Sequence, residues 1–438
     1  MVALCAAPAA RADEPPQVVE MTPRAGATDV DPRLKELRVT FDRDMSASGW
    51  SFCGGGPTFP EIVGRPRWVD NRTIVVRVRL KPDHDYVMSL NCSVGRKFRS
   101  AAGVPLVPVP WTFSTAAKAR RLGKADRKQL NARCLKQLMK LLRDHYSYYD
   151  YRDVDWKARV KKHRKKILAA SGTRSWSKRV AKMLSVAKDL HLWMSYRDQP
   201  IATYRRKIRP NANLKGIRSV LPRLEAKNGV VYGMRTDDNV GYILITTLSR
   251  QREKELAQVQ ALLQAYKDCK AMILDLRLNS GGDERLARDI AAWFVEGERV
   301  YAKHVCRDSG SKSGFGPAQS RRIVGNAPPR RFDGPVAVLT GPAIMSSAEA
   351  MLLMLKQGRR VTLIGAPSYG SSGNPKPFVL DNDVTVHIPS WKALRPDGTC
   401  FEGEGIKPGI KIEESPEAFE RGDPIIMTAL EVVRRKAG

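Results

Sequence analysis

Ala271-Met-Ile-Leu-Asp-Leu-Arg-Leu-Asn-Ser-Gly-Gly282 opens as an unbroken apolar run and closes on two glycines. A short apolar run bounded by a turn signal reads as a strand buried on both faces. Paired glycines behind such a strand let the backbone turn tightly and leave N–H groups aimed at a developing anion. Working outward, strand and helix alternate: a strand over 240–245, a helix over 253–266, the strand over 271–276 and a helix opening near Asp283. A further strand at 336–339 leads into a helix from Ser346 to about residue 357, and a strand follows at 361–364. Repeated strand-helix units predict parallel pairing, with reactive groups gathered at the carboxyl ends of the strands.

Ahead of this half the pattern changes twice. From about 17 to 115 the apolar residues alternate in short runs, Leu37, Val39 and Phe41, then Ile74, Val76, Val78 and Leu80, then Tyr86, Met88 and Leu90, with Trp111 and Phe113 last. That period predicts half-buried strands of an all-β sandwich. Cys92 continues the inward parity of Tyr86, Met88 and Leu90, so it faces the core and could meet Cys53. From about 124 to 195 the spacing is helical, with Leu130, Cys134, Leu138, Leu141 and His145 on one face.

The 438 residues suit two or three domains. Their 42% hydrophobic and 28% charged content is that of a globular chain, not a disordered or collagen-like one. No apolar run approaches the ~20 residues of a membrane-spanning helix. The formal charge of +31 is unusual, and residues 117–210 hold 28 Lys/Arg against 7 Asp/Glu, which supplies 21 of it. Such a field favours anionic partners, although a block of charge is also an ordinary solvated face. Residues 1–12 end in Ala10-Arg-Ala12 and read as the remnant of a secretory signal, which makes the protein exported and its cysteines disulfide-competent. Neither a cofactor fingerprint nor a cysteine or histidine cluster with zinc spacing is present in the sequence.

Three corners in the alternating half carry chemistry. The first is Asp275-Leu-Arg277-Leu-Asn279-Ser-Gly281-Gly282, and the second is Thr340-Gly-Pro-Ala-Ile-Met-Ser346-Ser347-Ala-Glu349. Ser346 with Glu349 is also an ordinary capping-box spacing. The third is Gly365-Ala-Pro-Ser-Tyr-Gly-Ser371-Ser-Gly-Asn374, which leads on to Glu402-Gly-Glu-Gly-Ile-Lys-Pro408.

In this order the motifs resemble the tail-specific, or C-terminal-processing, serine peptidases, whose core is shared with the tricorn protease and with retinoid-binding photoreceptor modules. Asp-x-Arg-x-Asn-x-Gly-Gly matches 275–282, the serine elbow matches 346–349, Glu-Gly-x-Gly-Ile-x-Pro matches 402–408, and the Asp-x-His ending the helical region matches Asp189 to His191. The front of the chain resembles a bacterial Ig-like domain through Pro23-Arg-Ala-Gly-Ala-Thr-Asp-Val30, Val39-Thr-Phe-Asp-Arg-Asp-Met45 and Leu80-Lys-Pro82. The resemblance implies a multidomain chain. A signal remnant occupies 1–12, an all-β Ig-like sandwich 13–116, a basic helical part of the peptidase unit 117–200, and an α/β core of the ClpP/crotonase-like type 201–438. It also implies a nucleophile at Ser346, an oxyanion hole among the N–H groups of Gly281, Gly282 and Ser347, and supporting roles for Asp275, Arg277, Asn279, Glu349 and Ser371.

The general base departs from the Ser-Lys members. Ser371 stands where their lysine would, and Lys376 lies beyond it. The tricorn-like branch uses a histidine and a glutamate instead, which map to His191 and Glu402, with Glu404 close enough to compete. An unperturbed histidine titrates near pH ~6.5 and accepts a proton at neutral pH. The reading is an exported serine peptidase that hydrolyses peptide bonds in proteins or peptides through a Ser346-His191-Glu402 acyl-enzyme, without metal or cofactor. Its rivals are a non-catalytic binding module on the same fold, for an apolar ligand or peptide, and an envelope or polyanion binder acting through residues 118–209. No specific nucleic-acid motif is present. The stretch between Asp198 and Val240 is short for a peptide-binding PDZ domain, and Cys306 with Cys400 is a conceivable second disulfide.

Overall fold

The computed structural model describes residues 14–117, 122–197, 199–308, 310–311, 313–415 and 417–438. The chain divides into two compact units, Met1–Gly123 and Lys124–Gly438. The signal remnant expected at residues 1–12 lies outside the described residues.

The first unit is a two-sheet sandwich. Its strands are β1 (Val18–Thr22), β2 (Ala27–Val30), β3 (Glu36–Phe41), β4 (Phe52–Cys53), β5 (Glu61–Ile62), β6 (Arg67–Trp68), β7 (Thr73–Arg79), β8 (Asp85–Leu90) and β9 (Val109–Thr115). One sheet runs β1-β3-β7-β5 with β6 also on β7, and the other runs β2-β9-β8-β4. The alternating residues of the sequence face inward as expected: Leu37, Val39, Phe41, Ile74, Val76, Val78, Tyr86, Met88, Leu90, Trp111 and Phe113 share one buried core. Cys92 and Cys53 are joined in a disulfide.

The second unit begins with α1 (Lys124–His145), α2 (Trp156–Leu168) and α3 (Thr173–Leu184). The stripe that α1 buries is Asn131, Cys134, Leu135, Leu138 and Leu142, turned slightly from the expected face, so that His145 is exposed and stacks on Phe378. Asn131 belongs to the stripe because its amide donates to the carbonyls of Leu168 and Ala170, closing the end of α2. Next come β10 (Trp193–Tyr196), β11 (Gln199–Ala202), α4 (Leu214–Val220), β12 (Glu225–Ala226), β13 (Val231–Arg235), β14 (Val240–Ile245), α5 (Glu253–Ala265), β15 (Ala271–Asp275) and α6 (Glu284–Ala291). The chain ends through β16 (Glu298–Cys306), β17 (Gln319–Val324), β18 (Val336–Thr340), α7 (Ser347–Leu355), β19 (Val361–Gly365), β20 (Pro375–Val379), β21 (Thr385–Pro389), β22 (Trp391–Leu394), β23 (Ile410–Lys411), α8 (Ala418–Arg421) and α9 (Pro424–Ala437).

The central sheet has the order β12-β13-β14-β15-β18-β19-β23, and β14, β15, β18, β19 and β23 are parallel. Both faces are covered, which is why these strands read as continuous apolar runs. On one face lie α5, α6 and α7. Residues 348–355 of α7 are all buried, as expected of a helix apolar on every side. Burying each of its Leu and Met side chains stabilises by about 1.5–3 kcal/mol, which holds the start of α7 in place. A second sheet, β11-β10-β21-β20, joins the helical region to the core, so 124–200 is part of the same unit as the α/β layer. The stretch between Asp198 and Val240 is also built into this unit, as β11, α4, β12 and β13.

The second disulfide conceived from the sequence is not formed. Cys306 and Cys400 are both free thiols. Cys306 pairs across from Trp391, whereas Cys400 is bridged to Leu394, itself opposite Lys303. That separation along β16 is about 10 Å, beyond the ~7 Å that a disulfide tolerates between Cα atoms.

Candidate active site

All three corners lie at the carboxyl ends of adjacent parallel strands, where an α/β sheet places its reactive groups. Ser346 stands between β18 and α7 with φ 58° and ψ −130°. An ordinary N-cap has extended backbone, and positive φ in a non-glycine costs ~1–3 kcal/mol. Ser346 is therefore more than a cap, although it completes a capping box with Glu349. The bend is held from two sides, since the Ser346 N–H donates to the Ser371 carbonyl at 2.8 Å and to Glu349 Oε2 at 3.2 Å.

Glu349 ties two corners together. Fully buried and, among the described residues, without a cation at hydrogen-bond distance, it accepts from Ser346 N–H, Ser371 N–H (3.0 Å), Gly370 N–H (2.6 Å) and the Ser368 hydroxyl (2.6 Å). Burial pushes its pKa up to about 7 against the pull of those donors.

Ser371 also reaches the helical region. Its hydroxyl lies 2.9 Å from Nδ1 of His191, a residue 180 positions away in the sequence. His191 occupies the turn between α3 and β10, and its N–H donates to Asp189 Oδ1 at 2.8 Å while the Tyr146 hydroxyl donates to Oδ2 at 2.8 Å. Burial holds the imidazole's pKa below its usual value, with Asp189 pulling the other way, which favours the neutral ring. Lys376, in contrast, is exposed on β20.

Glu402 is buried beside this group, but no hydrogen bond joins it to His191 among the described residues. One oxygen pairs with Arg152 Nη2, the other accepts from Ser372 N–H at 3.0 Å, and the Tyr151 hydroxyl donates to the Glu402 carbonyl. Burial and the neighbouring charge of Asp189 drive the Glu402 pKa well above the carboxylate range, with Arg152 opposing. Glu404 is turned to Arg395 at the surface, so it does not compete for Glu402's place.

The Gly281-Gly282 corner packs directly on the elbow. A Cβ on Gly281, whose φ is +97°, would lie 2.9 Å from Ser346 Cβ. The Ser347 hydroxyl donates to the Gly282 carbonyl at 2.7 Å, which fixes the two corners to each other. Gly281 must be removed from the expected oxyanion donors, because its N–H is spent on Asn279 Oδ1 at 2.9 Å. Leu248 N–H to Gly281 O and Asp283 N–H to Leu248 O close the adjoining bridge, which leaves the Gly282 N–H out of it. The Ser347 N–H, at the first position of α7, has no intrahelical acceptor.

Asp275, Arg277 and Asn279 hold the corner through buried contacts. All five N–H groups of the fully buried Arg277 side chain are engaged: two by Asp275, two by Asp423 and one by the Asn211 carbonyl. Asp423 caps α9, so this cluster pins the last helix to β15. Asn279 Nδ2 donates to the Ile245 carbonyl.

Sequence reasoning passed over Arg152, Tyr146 and Tyr151. Their signal was present in the run Tyr146-Ser-Tyr-Tyr-Asp-Tyr-Arg152, an aromatic cluster ending in a cation directly after α1.

Residues 239–412 match the model of peptidase family S41, and residues 12–115 match that of a bacterial Ig-like domain. These two matches mark a region similar to the S41 peptidases behind a region similar to a bacterial Ig-like domain. Carboxy-terminal processing protease CtpA of Bacillus subtilis is 31% identical over 184 residues, 42% of this chain and 37% of that protein. The carboxy-terminal-processing protease of Bartonella bacilliformis is 25% identical over 43% of this chain and 42% of its own length. This chain thus spans less than half the length of these relatives. Among solved structures, a protein from Parabacteroides merdae assigned as a peptidase superposes with TM-score 0.60 at 20% identity, over 69% of this chain and 96% of that one. Mature CPAF superposes with TM-score 0.54 at 12% identity, over 71% and 98%. At these identities both likenesses are of fold.

Proposed function

We propose that the protein is a serine-type peptidase that cleaves peptide bonds through an acyl-enzyme at Ser346, with His191 as general base. The observation that carries this is the double use of Ser371, whose carbonyl holds the Ser346 N–H and whose hydroxyl meets His191. When Nδ1–H donates to Ser371, Nε2 keeps its lone pair and is the nitrogen that takes the Ser346 proton. Ser346 Oγ attacks the scissile carbonyl, and the oxyanion is received by the N–H groups of Gly282 and Ser347, favoured by the positive end of α7. His191 then returns the proton to the leaving amine, and water, deprotonated by the same imidazole, releases the acid.

Glu402 acts behind His191 in this scheme. Paired with Arg152 and close to Asp189, it balances charge as the imidazolium forms. Incubating the protein with a mixed peptide library and reading products by mass spectrometry is expected to give cleavage that Ser346→Ala abolishes. Identical product patterns from both proteins would refute the proposal.

Export is part of the proposal, supported by the Cys53–Cys92 disulfide, because such bonds persist in oxidising compartments. A second reading concerns docking on an anionic envelope surface. The 13 residues of α2 include seven Lys/Arg and no acid, and no side chain of α2 or α3 has an ion-pair partner among the described residues. Binding to anionic vesicles that falls steeply with salt, and is lost when α2 cations are replaced by Gln, is the expected behaviour.

A further inference from the structure

The stretch from Tyr204 to Pro210 runs as a strap with both ends fastened beside the site. Upstream, the Thr203 hydroxyl donates to the carbonyl of Leu192, next to His191, and β11 pairs with β10. Downstream, Asn211 Nδ2 donates at 3.0 Å to the carbonyl of Thr340, the last residue of β18, from which the chain turns to Ser346. Between these anchors lie Arg205, Arg206, Lys207 and Arg209, all exposed. From Gln199 to Leu224 the sequence has seven Lys/Arg and no acidic residue.

One of these cations is held in a defined place. The Arg206 guanidinium lies 3.7 Å over the ring of Tyr369, and Tyr369 sits two residues before Ser371 with its N–H on the Ile344 carbonyl at 2.8 Å. A stacked guanidinium keeps its N–H edge free while losing little further freedom on binding. Arg205, Arg206 and Lys207 have no carboxylate at ion-pair distance among the described residues, so their charge is unspent.

We infer that the strap is a subsite for acidic side chains of the substrate, with Arg206 as the specificity-determining residue. A carboxylate on an extended peptide crossing the elbow meets a planar donor fork suited to two parallel hydrogen bonds. Arg205 and Lys207 raise the local concentration of such peptides by steering. The inference rests on the cleft being that of a peptidase or peptide binder, as proposed above, and it names the class of peptide.

The test separates binding from catalysis. Full-length Ser346→Ala protein is titrated with a short amidated, dye-labelled peptide of alternating Ala and Glu, and with its Gln and Lys counterparts, by fluorescence anisotropy. The Glu peptide is expected to bind on the order of tenfold more tightly than the Gln peptide, a ratio that Arg206→Gln brings close to one and Arg206→Glu inverts. Lys254→Gln, exposed on helix α5, controls for the general field and should leave the ratio in place. The inference is overturned if Arg206→Gln changes the ratio no more than Lys254→Gln, or if the three peptides bind alike. Because the measurement needs no turnover, its failure is distinct from a failure of Ser346 chemistry.

Discussion

The Ser371 hydroxyl stands 2.9 Å from Nδ1 of His191 while the Ser371 carbonyl accepts from the Ser346 N–H at 2.8 Å. One residue of the β19 corner therefore links the elbow to the helical region. In Ser-Lys relatives, by the resemblance of the motifs, this position carries the base itself. Here it carries a short hydroxyl, and the proposed base, His191, lies in the turn between α3 and β10.

Replacing Ser371 tests that link. Ser371→Ala is expected to lower kcat by on the order of 10–100-fold with little change in KM, because it frees the imidazole to turn without removing it. Ser371→Thr, which keeps a hydroxyl, should recover much of the loss. Steady-state kinetics on any cleaved peptide reads both variants.

The pH profile follows from His191. Burial lowers its pKa, so the neutral form that accepts a proton persists below the usual titration range. The acid limb of kcat/KM is expected to have its midpoint below pH ~6.5, with the rate rising toward neutrality. A midpoint above that value would assign the limb to another group.

Glu349 should make stability depend on pH. Its folded pKa of about 7 lies above the ordinary 4.5, so the native state binds more protons in that window and loses stability as pH rises through it. The loss is about 3 kcal/mol by the size of the shift. Glu349→Gln removes this dependence, so wild type should exceed the variant most near pH 5, and the gap should narrow by pH 8 in denaturant titrations.

Gly282 should be irreplaceable for a different reason. At φ +148°, an added Cβ would lie 2.1 Å from the Leu248 carbonyl, whose backbone cannot move without opening the adjoining bridge. Gly282→Ala is expected to cost about 2–4 kcal/mol and to lower Tm. Gly398→Ala, at φ +93° with open space around it, should cost less.

The α/β layer was legible because its strands are buried on both faces and its corners carry glycines. The strand read at 240–245 is β14 residue for residue, and that at 271–276 exceeds β15 by one. The β-sandwich was legible from strict alternation down to the partner of Cys92. Within the site, the order of motifs pointed to Ser346, Ser371 and His191, and Ser371 is hydrogen-bonded to both of the others. Which donors remain free was not legible. Gly281 is spent on Asn279 in a local turn that the motif alone does not reveal, and Glu402 on Arg152 and Ser372 in place of His191, because Arg152 is brought in from a segment 250 residues away. The placement of Arg206 on Tyr369 was equally hidden, since a cation in a basic stretch reads as a solvated face until its neighbour is known.

The central claim is that Ser346 is a nucleophile activated by His191, and covalent labelling tests it most directly. With a fluorophosphonate probe the wild-type protein is expected to label at Ser346, with labelling abolished in Ser346→Ala and strongly reduced in His191→Ala. Absence of labelling in folded wild-type protein, or labelling that survives Ser346→Ala, would contradict the account.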